Sequence, residues 1–252
     1  METMTLERVQ SNLRRLKLMH TEESLIAKLK RHEEDGGTFM QLFDELLEDE
    51  VSFKEQRRIE TAIKTAGLPF VKTIDEYDFV FHPELDRQKV MSLFDPVFLE
   101  RKENIIFLGP PGVGKTHLAI SLALKACRSG VSIYFTTMSD LIGKLKSDKD
   151  KLRTKGRSHL KSGIVIVDEV GYTPVNRDEC HLFFQFISYR YERSSTIITS
   201  NKAFTEWTEL FEDPVIVTAI LDRLLHHSVV INIKGHSYRL KDKLKLQKGG
   251  DV

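Results

Sequence analysis

Five short apolar runs, separated by stretches with helical spacing, constrain the fold of this chain more than any other feature. The runs are rich in Ile, Val and Thr, and they read IIFL at 105–108, VSIYFT at 131–136, IVIVD at 164–168, TIITS at 196–200 and VVINI at 229–233. A strand that is buried on both faces needs such a continuous apolar run, and helical crossovers between the runs make the strands parallel. The pattern predicts a doubly wound α/β domain with a five-stranded parallel sheet flanked by helices.

The first apolar run leads into a glycine-rich loop with a phosphate-binding pattern. Residues 109–116 read GPPGVGKT, which fits GxxxxGK[ST] between a predicted strand and a predicted helix. In that context the backbone amides and the positive end of the helix bind phosphates, Lys115 reaches the β- and γ-oxygens, and the Thr116 hydroxyl takes one Mg²⁺ position. We therefore predict an ATP and Mg²⁺ site that includes Gly109, Pro110, Pro111, Gly112, Val113, Gly114, Lys115, Thr116 and His117. A single histidine on a packed helix favours a structural role for His117 over a catalytic one.

Polar side chains at the ends of two later runs supply the groups that hydrolysis needs. Asp168 ends the third run and can hold the water shell of Mg²⁺, and Glu169 can orient and polarise the attacking water. Asn201 follows the fourth run, at the sheet edge where such folds bind ligands, and is suited to hold the water and the γ-phosphate together. These residues, with Lys115, predict an ATPase rather than a protein that only binds ATP.

Two arginines near the last run are candidates for phosphate contacts. Oligomeric ATPases place an arginine before the final strand, where it reaches the γ-phosphate of a neighbouring subunit, and Arg223 has that position. Arg239 follows the last run and is a candidate for a second contact within the same subunit. For either arginine alone, a surface ion pair is an equally open interpretation. The adjacent His226 and His227 would diverge by about 100° on a helix and make a poor metal pair.

The residues before the first run divide into a helical part and a connecting part. Residues 1–68 predict a small bundle, with a first helix on Leu6, Val9, Leu13 and Leu16, a second after Gly36-Gly37, and a third from the capping-box pattern at 52–55 to about Gly67. Its charge is divided, since 1–31 holds seven Lys/Arg and four Asp/Glu while 33–60 holds three and ten. We expect nucleic acid at one end of the bundle and a protein at the other.

Residues 69–103 are predicted to be a linker that also contributes to the nucleotide pocket, between the helical domain and an ATPase domain over 104–252. Tyr77, Phe79 and Phe81 lie in a predicted extended piece, YDFVF, just before the ATPase core. An aromatic side chain there, which we assign to Phe79, can stack on adenine. A strand that packs onto the core is an equally good interpretation.

The segment 141–163 between the second and third runs is strongly basic, with eight Lys/Arg and two Asp. Such clusters neutralise the DNA backbone and bind without regard to sequence. Neither aromatic interleaving nor a helix-turn-helix pattern accompanies it, so single-strand stacking and base reading are not expected. We predict duplex DNA binding through Lys144, Lys146, Lys149, Lys151, Arg153, Lys155 and Arg157, with a solvated charged face as the alternative.

Composition and cysteine content limit the class of protein to which this chain can belong. The 252 residues suit one or two domains, and 38 Lys+Arg balance 37 Asp+Glu. Cys127 and Cys180 lie far apart and lack metal-ligand spacing, which suggests a reducing compartment. The sequence has neither an apolar stretch of membrane-spanning length nor a signal-peptide pattern at its start. We expect a cytoplasmic protein without a membrane partner.

Taken together, five segments carry a family resemblance. GPPGVGKTHLA, IVIVDEVGY, STIITSN, ILDRLLHHS and GHSYRLK resemble, in order and spacing, the IstB-type ATP-binding helpers of bacterial insertion sequences, AAA+ proteins close to the bacterial helicase loaders. The resemblance covers nearly the whole chain. It implies an AAA+ P-loop fold with Asp168 and Glu169 as Walker B, Asn201 as sensor 1, Arg223 as the trans finger and Arg239 at the sensor 2 position. Few residues follow the last run, so we expect no C-terminal helical lid.

The resemblance also implies a function. Such a protein would form homo-oligomers on duplex DNA with ATP at the subunit interfaces, bend or remodel the DNA, and recruit or stimulate the transposase of the same insertion sequence. Hydrolysis would reverse the assembly. Two alternatives stay open: a replicative helicase loader of the DnaC type, and a protein scaffold gated by nucleotide. A monomeric kinase explains neither Asn201 nor Arg223.

Overall fold

The computed structural model describes residues 2–95, 97–149 and 158–241. Contacts divide the chain into two compact units, residues 1–61 and 62–252. The domain boundaries expected at residues 68 and 103 stay predictions. Among the described residues, no helix combines the length and the apolar character that crossing a bilayer would require.

The first unit consists of helices. They are α1 (Glu2–Arg15), α2 (Met19–Asp35) and the larger part of α3 (Phe39–Thr65). Leu25, Leu42 and Leu46 form its small core. The buried Glu50 carboxylate accepts hydrogen bonds from the Thr21 amide at 2.7 Å and hydroxyl at 3.0 Å, which ties α3 to α2.

The predicted division of these helices was wrong in two respects: α2 was not predicted as a helix of its own, and the helix expected to begin at 52–55 does not begin there. The capping-box pattern at 52–55 lies inside α3, which runs unbroken from Phe39 to Thr65. The stretch contains neither glycine nor proline, so nothing interrupts the helix and the Ser-Glu pair is part of its interior. The end before Gly67 was predicted correctly, and Gly67 takes the left-handed conformation with φ of 75°.

The second unit confirms the predicted five-stranded parallel sheet. Its strands are β1 (Asn104–Leu108), β2 (Ile133–Thr137), β3 (Ile164–Val170), β4 (Ser195–Ser200) and β5 (Ser228–Asn232), in the order β2-β3-β4-β1-β5. β1, β3 and β4 are buried along most of their length, as expected for strands covered on both faces, and β2 is partly buried. Every neighbouring pair is parallel, so all strands end at one edge.

Helices cover both faces of the sheet. In chain order they are α4 (Arg87–Ser92), α5 (Val97–Glu100), α6 (Lys115–Arg128), α7 (Met138–Lys149), α8 (Ser158–Lys161), α9 (Arg177–Arg190), α10 (Phe204–Leu210) and α11 (Pro214–His226). One core cluster joins α6 to residues 66–99, and the other joins α7, α9, α10 and α11. After β5, the described chain adds a 3₁₀ turn at Tyr238–Leu240 and no helical lid.

The aromatic piece at 77–81 is not extended. A 3₁₀ turn covers Phe79–Phe81, and the Asp78 carboxylate caps it by accepting a hydrogen bond from the Phe81 amide at 3.2 Å. This local cap offers the backbone a partner that does not depend on a sheet, which is why the alternating aromatics do not form a strand.

A buried arginine organises the edge at which the strands begin. Arg190, at the end of α9, is 1% exposed. Its guanidinium donates to the carbonyl oxygens of Leu160 at 3.0 Å, Ser162 at 2.9 Å and Ser195 at 2.5 Å, and to the Thr196 hydroxyl at 3.0 Å. One side chain thus satisfies backbone groups before β3 and at the start of β4.

Candidate active site

The glycine-rich loop lies between β1 and α6, at the edge where the strands end. Gly112 and Gly114 take φ of 82° and 92°, a region that side chains rarely adopt. A Cβ atom on Gly112 would lie 2.0 Å from Ser237 Oγ, and one on Gly114 would lie 2.6 Å from the Tyr77 ring. Backbone conformation and close packing therefore both require glycine at these positions.

Lys115 is held inside this loop. It is 7% exposed, and its ammonium donates to the carbonyl oxygens of Gly109 and Pro110, both at 2.8 Å. Burial lowers the pKa of Lys115, the Asp168 carboxylate raises it, and the positive charge of Arg239 lowers it. A buried ammonium between neutral carbonyls is a strong site for an anion, because its charge is only partly compensated.

The two predicted Mg²⁺ ligands are direct neighbours. The Thr116 hydroxyl donates to Asp168 at 2.9 Å, so the start of α6 meets β3 at this point. Thr199 on β4 donates to the same carboxylate oxygen at 2.5 Å. Asp168 is 6% exposed. These oxygen donors are of the kind that Mg²⁺ prefers, and they fit a magnesium ion at this point.

Thr199 was not predicted from the sequence. Its hydroxyl donates to Asp168 and accepts from the Glu169 amide at 3.1 Å, so it orients both acidic residues. The signal that would have found it is a hydroxyl residue near the end of a buried strand, beside the predicted acidic residues, where a polar group needs a partner.

A backbone irregularity positions Glu169. The pairing of β3 with β4 shifts register between Val167 and Val170, and Glu169 has φ of 61°. Its side chain is exposed while its neighbours in β3 are buried. A positive φ at a non-glycine residue is uncommon and costs free energy, and such strain is concentrated at functional sites.

Asn201 lies close to the start of the glycine-rich loop. The Ser200 carbonyl accepts from the Gly109 amide at 3.2 Å, which joins the end of β4 to the loop. The Asn201 amide oxygen is buried and has no hydrogen-bond partner among the described residues. A buried acceptor without a partner lowers the stability of the folded state by about 1–3 kcal/mol. A donor brought by a ligand or a bound water would satisfy it.

The segment after β5 packs on the same loop. The Tyr238 amide donates to the Gly112 carbonyl at 2.9 Å, beside the Ser237 contact. Arg239 follows, exposed, and near enough for its charge to lower the pKa of Lys115. The fold therefore brings Arg239 to the loop although the two are distant in sequence.

Arg223 lies on α11 and packs against α9. Its guanidinium stacks over the Phe184 ring of α9 at 4.5 Å, and its Nη1 lies 3.5 Å from the Ala219 carbonyl oxygen. None of these contacts joins it to the glycine-rich loop or to β3. Its assignment as a finger toward a neighbouring subunit stays a prediction.

Tyr77 contacts the loop directly, and the assignment of Phe79 to adenine stays a prediction. Tyr77 is buried and its hydroxyl donates to the Val113 carbonyl at 2.9 Å, and burial raises its pKa. Phe79 is half-buried, packs edge-on against Tyr77 at 4.9 Å, and carries the Arg87 guanidinium over its ring at 5.3 Å. His117 is structural in its contacts, since its Nε2 lies 2.8 Å from the Thr73 carbonyl oxygen.

The predicted DNA-binding residues are only partly described. Lys144 donates to the Tyr134 hydroxyl at 2.6 Å, and Lys146 pairs with Glu179 at 2.7 Å, so both have intramolecular partners. Lys149 is the last residue of α7. The rest lie outside the described residues: Lys151, Arg153, Lys155 and Arg157.

Comparison with known proteins connects this geometry to a family. The family model for the IstB-like ATP binding protein matches residues 11–246. The chain is 46% identical over 238 residues to the insertion sequence IS21 putative ATP-binding protein of Pseudomonas aeruginosa, covering 92% of this chain and 89% of that protein. It is 43% identical over 239 residues to the IS5376 putative ATP-binding protein of Geobacillus stearothermophilus, covering 94% and 95%.

Solved structures share the fold. A crystal structure of DnaI superposes with a TM-score of 0.54 at 20% identity, covering 64% of this chain and 90% of that one. AMPPCP-bound DnaA from Aquifex aeolicus gives a TM-score of 0.54 at 15% identity, covering 74% and 57%. At these identities the likeness concerns the AAA+ fold alone.

Proposed function

Because this chain belongs to the family of IstB-like ATP-binding proteins, we propose that it is an ATP-hydrolysing, DNA-binding transposition helper. In this proposal it oligomerises on duplex target DNA, bends or remodels the DNA, and recruits or stimulates the transposase of its insertion sequence. The observation that carries the proposal is the arrangement of Lys115, Thr116, Asp168 and Glu169 around one loop, in a chain with this family membership.

The residues present fit Mg²⁺ and ATP. Thr116 and Asp168 offer oxygen ligands that already lie 2.9 Å apart, and the Lys115 ammonium is buried among carbonyls. When bound, ATP supplies the phosphoryl group and Mg²⁺ offsets its charge. The buried Asn201 oxygen, which lacks a partner among the described residues, is the third observation in favour of a ligand at this edge.

In the proposed hydrolysis, each of these residues has a separate role. Lys115 and Arg239 both bring positive charge to the loop. Glu169 acts as the general base toward water, and the Asn201 oxygen accepts a hydrogen bond from that water and holds its orientation. Through its two hydrogen bonds, Thr199 holds the Asp168 carboxylate and the Glu169 backbone in fixed positions relative to each other. Glu169 has a strained backbone and an exposed side chain, which leaves its carboxylate accessible to water.

Assembly would depend on the nucleotide through Arg223. Its guanidinium is held on an aromatic ring of α9 and makes no contact with its own loop, which suits a residue that completes the site of a neighbouring subunit. In the proposed cycle the γ-phosphate supports this contact, and its hydrolysis removes the support and releases the subunits.

The proposed DNA contact rests on the charge of residues 141–163. Since Lys144 and Lys146 have partners within the chain, the larger part of the phosphate contacts is assigned to the five basic residues from Lys149 to Arg157. Contacts of this type bind all sequences alike and weaken with salt.

The test uses the full chain with Glu169→Gln, which keeps the shape of the side chain and removes the base. Sedimentation is measured with Mg²⁺-ATP, with and without a duplex of about 50 base pairs, at about 50 mM and about 200 mM salt. Large assemblies that need both ATP and DNA and that dissociate at higher salt support the proposal. Lys115→Ala, which lacks the phosphate contact, is the matched control and should not assemble.

A monomer indifferent to duplex would overturn the DNA-remodelling proposal. Assembly with ATP alone, unchanged by DNA or salt, would instead point to a nucleotide-gated scaffold. Binding to a replicative helicase ring in place of the transposase would point to a helicase loader.

A further inference from the structure

Three ligand-type side chains converge at the edge of the sheet opposite to the glycine-rich loop. They are Glu192, His226 and His227, all exposed, and one potential ligand atom from each lies within 4.8 Å of the others. Glu192 lies in the turn between α9 and β4, and the histidines lie at the end of α11, directly before β5. The strands begin at this edge, so the cluster is separate from the nucleotide site.

The end of α11 explains why the two histidines converge. Adjacent residues on a helix would diverge, as expected from the sequence, but the helix ends at His226 and His227 leaves it with φ of −125° and ψ of 81°. The ring centroids are consequently 4.0 Å apart. The expected divergence of the two rings was therefore wrong, because it assumed that the helix continues.

Glu192 reaches the pair through an unusual backbone conformation. Its φ is 56°, in the left-handed region that a non-glycine residue seldom occupies. Its carboxylate oxygen Oε1 lies 3.8 Å from His227 Nε2. Two atoms at this separation can share one ion, since each would lie about 2.0–2.2 Å from a bound zinc.

The surroundings favour a cation over an empty cluster. His226 Nδ1 lies 2.7 Å from the Tyr191 hydroxyl oxygen, which leaves Nε2 as its nitrogen for a ligand. Such a second hydrogen bond fixes the ring of a metal-ligating histidine. In addition, α9 ends at Arg190 and α11 at His226, so the negative ends of two helix dipoles lie next to the cluster.

We propose that Glu192, His226 and His227 form a surface site for a divalent transition-metal ion such as Zn²⁺. Two imidazoles and one carboxylate are ligands that this class of ion accepts, and the remaining positions are open to water. The ion joins the turn after α9 to the end of α11. Arg223 lies one turn before His226 on that helix, so the bound ion also fixes the helix end that carries Arg223.

The site is tested with the full chain, stripped of metal by a chelator and free of nucleotide. Zinc chloride is titrated by calorimetry, and cobalt chloride is titrated by visible absorbance, which reports the ligand geometry. We expect one ion per chain. The double variant His226→Gln/His227→Gln should bind at least about 10-fold more weakly, and Glu192→Gln, which keeps the shape and removes the charge, should also bind more weakly.

His181→Gln is the matched control, since His181 is an exposed histidine on α9 outside the cluster. It should bind the ion as tightly as the wild-type chain. Thermal unfolding without metal checks that the variants are folded. With zinc in excess, the midpoint should rise for the wild-type chain and for His181→Gln, because an ion that binds only the folded state stabilises it. It should not rise for the double variant.

Three outcomes would overturn the site. Wild-type protein that binds no zinc would show that the cluster is a surface ion pair between Glu192 and His227. Equal affinity in the wild-type chain and the double variant would place the ion elsewhere. One ion per two chains would mean that the ligands come from two molecules rather than from this cluster.

Discussion

The Thr199 hydroxyl donates a hydrogen bond to the Asp168 carboxylate at 2.5 Å, between the central strands β4 and β3. The Thr199 hydroxyl oxygen also accepts a hydrogen bond from the Glu169 amide. A single hydroxyl thus couples a candidate metal ligand to the backbone of the candidate general base. This coupling is possible because β3 and β4 are parallel neighbours whose ends meet at one edge.

Thr199→Val removes this hydroxyl and keeps the shape of the side chain. The Glu169 amide loses its acceptor and Asp168 loses a donor, which should lower the free energy of unfolding by about 1–3 kcal/mol. ATP turnover should fall by at least about 10-fold, since both acidic groups lose their orientation, while ATP binding is retained. Urea unfolding and steady-state ATPase assays measure the two effects.

The control is Ser195→Ala on the same strand. Ser195 Oγ is buried without a hydrogen-bond partner among the described residues, so its removal should leave both stability and turnover close to wild type. Turnover in Thr199→Val equal to that of Ser195→Ala would contradict an orienting role for Thr199.

Arg223→Ala should abolish hydrolysis and leave nucleotide binding intact. A finger arginine is worth about 10³–10⁵ in rate, and Arg223 has no contact with its own loop. The decisive measurement mixes Arg223→Ala with Glu169→Gln, each inactive alone. If the arginine acts across a subunit boundary, some interfaces combine an intact Glu169 with an intact Arg223, and ATPase activity returns on mixing.

Arg193→Ala is the matched control, because Arg193 also stacks on an aromatic ring, Tyr189, at 5.2 Å. It should hydrolyse ATP normally. If ATP no longer binds to Arg223→Ala, or if the mixture stays inactive, the trans assignment is wrong.

Arg190→Met should destabilise the second unit by about 3 kcal/mol, because removing one partner leaves buried carbonyls without donors. The carbonyls of Leu160, Ser162 and Ser195 lose their bonds at once. The urea midpoint of unfolding measures the loss, and Arg193→Met, at an exposed arginine, provides the comparison. Equal midpoints in the two variants would argue against Arg190 as the organiser of this edge.

Stability should fall in mild acid through His82. The side chain is 2% exposed, and its burial lowers its pKa, against an opposing contact with the Lys234 backbone. The unfolded chain therefore binds more protons than the folded chain between the lowered pKa and the ordinary value of about 6.5. The free energy of unfolding should decrease as pH falls below about 6.5 and stay level above it.

His82→Phe removes the titrating group and suits the aromatic contacts with Tyr77 and Phe81. Urea unfolding at several pH values should show a smaller decline for this variant than for the wild-type chain. His181→Gln should keep the wild-type slope. A decline of the same size in His82→Phe would assign the acid sensitivity to other groups.

Local patterns predicted much of this molecule because their causes are local. The five runs rich in Ile, Val and Thr predicted the strands, since residues of these types suit a buried strand. The GPPGVGKT spacing predicted a loop between strand and helix, where Gly112 and Gly114 take positive φ. The Asp-Glu pair lies at the end of β3 and Asn201 follows β4, as predicted from the sequence, and their catalytic roles stay predictions.

Local patterns failed where a distant partner decided the outcome. The capping-box pattern at 52–55 did not begin a helix, because nothing before it ended one. The hydrogen bond from Tyr77 to the Val113 carbonyl was not predicted, and the assignment of Phe79 to adenine stays a prediction. Thr199 was read as one more residue of an apolar strand.

By itself, the sequence determined the alternation of strands and helices, the phosphate-binding loop and the family. These depend on residue type and short-range spacing, which local backbone sterics and burial translate directly into structure. Only the tertiary structure decided that Thr199 joins Asp168 to Glu169, that Ser237 and Tyr77 enclose the loop, and that Glu192 meets His226 and His227. The physical reason is that hydrogen bonding and packing act over a few ångströms, and the order of strands in the sheet brings together residues far apart in the chain.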